Sequence, residues 1–156
     1  MRKLCLMFTM LIVLSFASIA SASYNDIYDD HLGGDRNYIL VDGHMGVAWY
    51  LDRSSLVVQK YAPPQYIIAV NIVTVPNADK GYTDISSVQT KRFFYNWKLR
   101  QMYVDRGVDN WIYVPRDGSF AEVGITGPTG EMAFYLAYGM KFYGNRNSDF
   151  YRMARY

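Results

Sequence analysis

Two histidines, a few clustered acids and one Asp-Ser-Ser stretch are the residues whose types could do chemistry. Asp42 and His44 stand two apart, on one side of an extended chain, and Ser54 or Ser55 would approach them across a hairpin. A serine nucleophile needs a histidine oriented by a carboxylate, so Asp42, His44 and Ser54 form the one triad worth testing. A turn through Asp42-Gly43-His44-Met45-Gly46 explains the same residues without chemistry. Asp29-Asp30-His31 has metal-ligand types, but three adjacent residues cannot all face one ion from a strand or helix. Asn77, Asp79 and Asp84 around Gly81 resemble a calcium loop whose closing acid is missing. Glu122 and Glu131 are the only glutamates, and nothing marks them as a glycosidase pair. No Gly-x-Ser-x-Gly elbow and no phosphate-cradling glycine loop occurs. The expectation is a non-enzymatic chain with no cofactor and no metal, and a small hydrolase is the least favoured alternative.

Asp52-x-Ser54-Ser55 is better read as a structural turn. The Asp52 carboxylate can accept the backbone N–H groups of Ser54 and Ser55, an Asx-type arrangement. Trp49 to Val58 is then expected to be a hairpin that reverses at Asp52.

The elements that would position these residues come from one domain. Residues 1–22 read as a signal peptide: Arg2 and Lys3 precede an apolar run that ends at Ala20-Ser21-Ala22. Cys5, the single cysteine, leaves with it and lies too early for lipid attachment. Loss of Arg2 and Lys3 also brings the sixteen basic residues to fourteen, equal to the acidic ones. A neutral mature chain argues against nucleic-acid binding, which phosphate neutralisation drives. Without cysteine, an exported domain rests on its core, and a sequence 51% hydrophobic and 17% aromatic can build one. Fifteen tyrosines suit strands and also exposed binding faces.

Residues 23–37 are polar and aperiodic and read as a flexible arm. Short strands follow at 38–41, 47–51 and 56–61, with Pro63-Pro64 stopping the last. Residues 66–75 are apolar on both faces and predict a central strand, with Asn71 its lone polar interior residue. Residues 76–86 read as a polar loop. Segments at 87–96, 98–105 and 111–114 complete an antiparallel meander. After Gly127-Pro128-Thr129-Gly130 the period changes to that of a helix, with Ala133, Leu136, Ala137 and Met140 on one face. Glu131 in its first turn and Lys141 in its last would suit the helix dipole. Phe134, Tyr138 and Phe142 form a second stripe, either packed on the sheet or presented as a partner or homodimer face. Residues 144–156 read as a disordered tail, whose Arg146, Arg152 and Arg155 would otherwise contact an anionic surface.

The pieces Tyr38-Ile39-Leu40-Val41, Trp49-Tyr50-Leu51-Asp52-Arg53-Ser54-Ser55-Leu56, Arg92-Phe93-Phe94-Tyr95-Asn96 and Gly127-Pro128-Thr129-Gly130-Glu131 together resemble the surface-adhesin protein E-like domain family of bacteria, over residues 38–143. The resemblance implies an antiparallel sheet with a C-terminal helix packed on it. It also implies a surface protein that binds host proteins and self-associates. Departures are the missing family cysteines and the missing acylation site. The expectation is therefore an exported α+β domain of six or seven strands and one C-terminal helix. It would serve as an envelope or surface binding module, or alternatively as a periplasmic accessory factor.

Overall fold

The computed structural model describes residues 27–155. Six antiparallel strands form one sheet in chain order: β1 (Tyr38–His44), β2 (Val47–Ala62), β3 (Gln65–Val75), β4 (Ser87–Asn96), β5 (Gln101–Asp105) and β6 (Trp111–Val114). Three helices follow: α1 (Phe120–Val123), α2 (Thr126–Tyr138) and α3 (Ser148–Arg152). The expected α+β meander with a helix packed at its C-terminal end is the observed architecture. β3 is interior, paired to β2 and β4. Its two faces are both buried, Ile68 and Ile72 on one and Val73 and Val75 on the other. Among the described residues no helix is long and apolar enough to cross a membrane.

The expected hairpin at Asp52 is absent, because β2 is one strand through Ala62. The Asp52 geometry forms a bulge instead. Asp52 stands opposite Asn71 and Val57 opposite Ala69, so Arg53 to Leu56 face Val70 alone. Asp52 accepts the Ser54 N–H at 3.0 Å and its hydroxyl at 2.6 Å. The Ser55 hydroxyl donates to the Asp52 carbonyl at 2.7 Å and accepts the Asn71 N–H at 2.8 Å. Side chains thus replace the ladder bonds that the bulge removes, and the long apolar β3 keeps both halves of β2 paired. Asn71, the polar residue in that strand, accepts the Thr90 hydroxyl at 2.7 Å.

The β1–β2 reversal is also tighter than expected. It falls on Met45 and Gly46, with φ 50° and 81°, as a two-residue hairpin with positive φ at both positions requires. Asp42, Gly43 and His44 belong to β1. A Cβ on Gly43 would stand 2.3 Å from the Tyr28 ring, so glycine admits that ring.

The helix begins five residues before Glu131 and ends at Gly139, whose φ of 67° closes it. Pro128 lies in the first turn, where a missing N–H breaks no intrahelical bond. Glu131 is therefore a buried interior residue at 1% exposure, not a solvated first-turn acid, and Lys141 lies beyond the helix.

Within the described residues, 27–37 and 144–155, both terminal segments are packed, contrary to the expected arm and tail. Tyr28 and Leu32 are buried, and the Leu40 N–H donates to the Asp30 carbonyl at 3.0 Å. At the other end Phe150, Tyr151 and Met153 are buried, because aromatic and sulfur side chains gain more from the core than from water. His31 Nε2 and the Met153 carbonyl, 3.1 Å apart, join the two segments. The signal-peptide reading of residues 1–22 lies outside the described residues.

Candidate functional site

The triad of Asp42, His44 and Ser54 does not assemble. Tyr38 pairs with Asp52 at one end of β1 and His44 with Val47 at the other. Ser54 lies beyond the first end, so six extended residues, roughly 20 Å, separate it from His44. His44 packs on Phe120 instead, ring centroids 5.0 Å apart. Among the described residues no group of three His, Cys, Asp or Glu side chains could hold a metal ion. Asp29-Asp30-His31 lies along the edge of β1, and Asp79 lies beside Gly46. Both glutamates are engaged in hydrogen bonds that hold local structure. Glu122 accepts the Ser119 N–H at 2.8 Å in a capping box, which lowers its pKa. Glu131 accepts the N–H groups of Tyr143 and Gly144 and the Tyr151 hydroxyl.

The stripe of Phe134, Tyr138 and Phe142 is a packing face, which corrects the expected partner or dimer surface. Phe134 and Phe142 are 0% and 1% exposed. Phe134 stacks on Trp97 at 5.5 Å and meets Tyr95 at 4.9 Å and Tyr66 at 5.6 Å. Tyr138, half-buried, tilts against Tyr66 at 5.1 Å. Below this cluster the Tyr95 hydroxyl donates to the Gly130 carbonyl at 2.8 Å. Burial, with the Glu131 charge adding to it, raises the Tyr95 pKa well above the usual tyrosine value.

The tail arginines are drawn into local contacts. Arg152 pairs with Asp149 at 3.2 Å, and Arg155 Nε donates to the Tyr135 hydroxyl at 3.1 Å. Arg146 lies over the Phe150 ring, 5.9 Å from its centroid.

A cluster to which the sequence assigns no binding role lies on the other side of the sheet. In β4, Phe93 and Tyr95 point toward α2, so Phe94 between them points away. Phe94 stands opposite Tyr103, and Tyr103 opposite Tyr113. Their rings touch in sequence, at 5.7 Å and 5.6 Å. Trp111 adds a fourth ring, 5.9 Å from Phe94. The Arg92 guanidinium lies 5.3 Å from the Trp111 centroid. It is held there by Asp105 at 2.5 Å, Asp109 at 3.0 Å and the Gln59 side chain at 2.9 Å. Hydrogen bonding to Asp109, ahead of its other partners, raises the Arg92 pKa. Phe94, Tyr103 and Trp111 are half-buried and Tyr113 is 47% exposed, so the rings support one another and still meet solvent. The rings are tilted to one another by 41°, 55° and 61°, and with the pinned cation they form an open aromatic face of the kind that recognises a surface. Composition announced the tyrosines, but which strand face is left open depends on where the helix settles.

No family model, curated protein or solved structure matches this chain.

Proposed function

We propose that the protein is an exported binding module of the bacterial cell envelope or surface, adhesin-like and non-enzymatic. Its partner is a protein, bound on the open face formed by Phe94, Tyr103, Trp111 and Tyr113 with Arg92. One observation carries this reading: the four rings and the guanidinium lie contiguously on the sheet face away from α2. Tyr, Trp and Arg are the residue types that dominate binding energy at protein interfaces. Exposed aromatic rings beside an arginine suit the core of a protein interface. The apolar segment ending at Ala20-Ser21-Ala22 and the resemblance to the adhesin E-like family support export and surface display. The test is retention of the mature protein on the envelope fraction of its native cell, with Trp111→Ala/Tyr113→Ala as the variant. Mass spectrometry of the mature N-terminus tests cleavage after Ala22 in the same preparation.

A further inference from the structure

A second feature lies away from the aromatic face and is independent of it. Where the register of β1 shifts between Leu40 and Asp42, the strand opens toward the tail. A cleft of about 290 Å³ forms there, lined among others by Leu40, Asp42, Arg146, Asn147, Phe150 and Met153. This is close to the small end of ligand-holding clefts, about 300 Å³.

Two opposite charges meet in it without neutralising each other. Arg146 is half-buried, and its Nε is sealed from solvent with no hydrogen-bond partner among the described residues. Leaving such a donor unpaired costs free energy comparable to a lost hydrogen bond. Its Nη2 lies 3.6 Å from where a Cβ on Gly127 would stand, against the first turn of α2. That is the positive end of a helix, an unfavourable place for a cation. Asp42 accepts one backbone N–H, from Gly43 at 2.8 Å. Burial raises its pKa, opposed by that hydrogen bond and by Arg146 and His44. Arg146 therefore acts on Asp42, yet the two form no ion pair within 4.0 Å among the described residues. A guanidinium with an unpaired Nε and no ion pair is short of acceptors, and an anionic oxygen in the cleft would supply one to its outer nitrogens. The carboxylate across the same cleft repels a plain anion and accepts an ammonium.

We propose that the Asp42–Arg146 cleft binds a small zwitterion, an amino acid or short peptide with both termini free. The ligand carboxylate meets the Arg146 guanidinium and the ligand ammonium meets Asp42. Leu40, Phe150 and Met153 flank the apolar part between them.

The experiment is calorimetric titration of the mature full chain with L-alanyl-L-alanine. Parallel titrations use its N-acetylated form, which lacks the ammonium, and its C-terminal amide, which lacks the carboxylate. Saturable binding of the free dipeptide is expected, with at least a tenfold loss for each blocked form. Arg146→Gln and Asp42→Asn are each expected to weaken the free dipeptide at least tenfold. Absence of saturable binding overturns the proposal. So does equal binding of the blocked and free forms, a comparison within the unmutated chain that no folding defect can confuse. Unchanged binding in both variants overturns it as well.

Discussion

The Glu131 carboxylate accepts the Tyr151 hydroxyl hydrogen at 2.6 Å inside the core. The same carboxylate takes the backbone N–H groups of Tyr143 at 2.8 Å and Gly144 at 3.1 Å. One buried acid on α2 thus gathers the whole segment that follows the helix. A buried carboxylate is tolerable only when its oxygens are satisfied, and here three donors satisfy them. Glu131→Gln keeps the size but loses the charge and turns one acceptor into a donor facing donors. It is expected to lower stability by about 2 kcal/mol, the scale of a hydrogen bond to a charged group. Urea unfolding measures this, and an unchanged midpoint would contradict the network.

The tail is the next consequence. Phe150, Tyr151 and Met153 are buried, at 4%, 1% and 6% exposure. Burial of each such side chain contributes about 1.5–3 kcal/mol, so removing residues 145–156 costs on the order of the whole stability of a domain this size. The truncated chain should lose its cooperative thermal transition and become open to proteolysis. A disordered tail would instead leave the melting curve where it was.

Gly130 decides a packing distance. An added Cβ would sit 2.3 Å from the Met102 sulfur and 3.0 Å from the Phe93 ring. Alanine is the better helix former by about 1 kcal/mol, and overpacking costs about 1–3 kcal/mol. The second term wins, because the neighbours belong to two central strands. Gly130→Ala is expected to be destabilising in denaturant unfolding; a stabilised variant would show that the helix can lift from the sheet.

Alkaline pH should unfold the protein. Burial first, and then neighbouring acids, push the Tyr50 pKa up to about 12. Tyr95, Tyr143 and Tyr151 are raised too, again chiefly by burial. Above the usual tyrosine value the unfolded chain releases these protons while the folded chain keeps them. The folded state then binds more protons, so stability falls as pH rises from about 10. Tyrosinate absorbance followed with circular dichroism should show late ionisation of these residues coinciding with unfolding. Ionisation of every tyrosine at the ordinary value in a folded chain would contradict it.

Much of the fold was legible because strand signals are local. The doubly apolar run of β3 and the glycine and proline punctuation place most strands. What the sequence does not reveal turns on partners distant along the chain. Asp52-x-Ser54-Ser55 spells an Asx geometry, yet the chain does not reverse there, since β3 supplies a partner on both sides of the bulge. Pro128 suggested a boundary before the helix and lies within its first turn. The tail's arginines drew attention to charge, whereas Phe150 and Tyr151 decide its place. Phe134 and Phe142 are candidates for a partner face because their spacing does not reveal which side the sheet takes, nor that the helix ends before Phe142. The same ambiguity covers Phe94, Tyr103, Trp111 and Tyr113, whose exposure is settled by where α2 packs.

The open aromatic face is tested most directly by comparing retention of the mature protein and its Trp111→Ala/Tyr113→Ala variant on the envelope fraction of the native cell. These rings contribute cross-strand pairs worth about 0.2–1 kcal/mol each, so the variant should remain folded, with only a modestly lower melting temperature. Truncating two central interface aromatics costs about 2 kcal/mol or more, so retention should weaken at least tenfold. Equal retention of the folded variant, or no retention of the unmutated protein, would contradict the account.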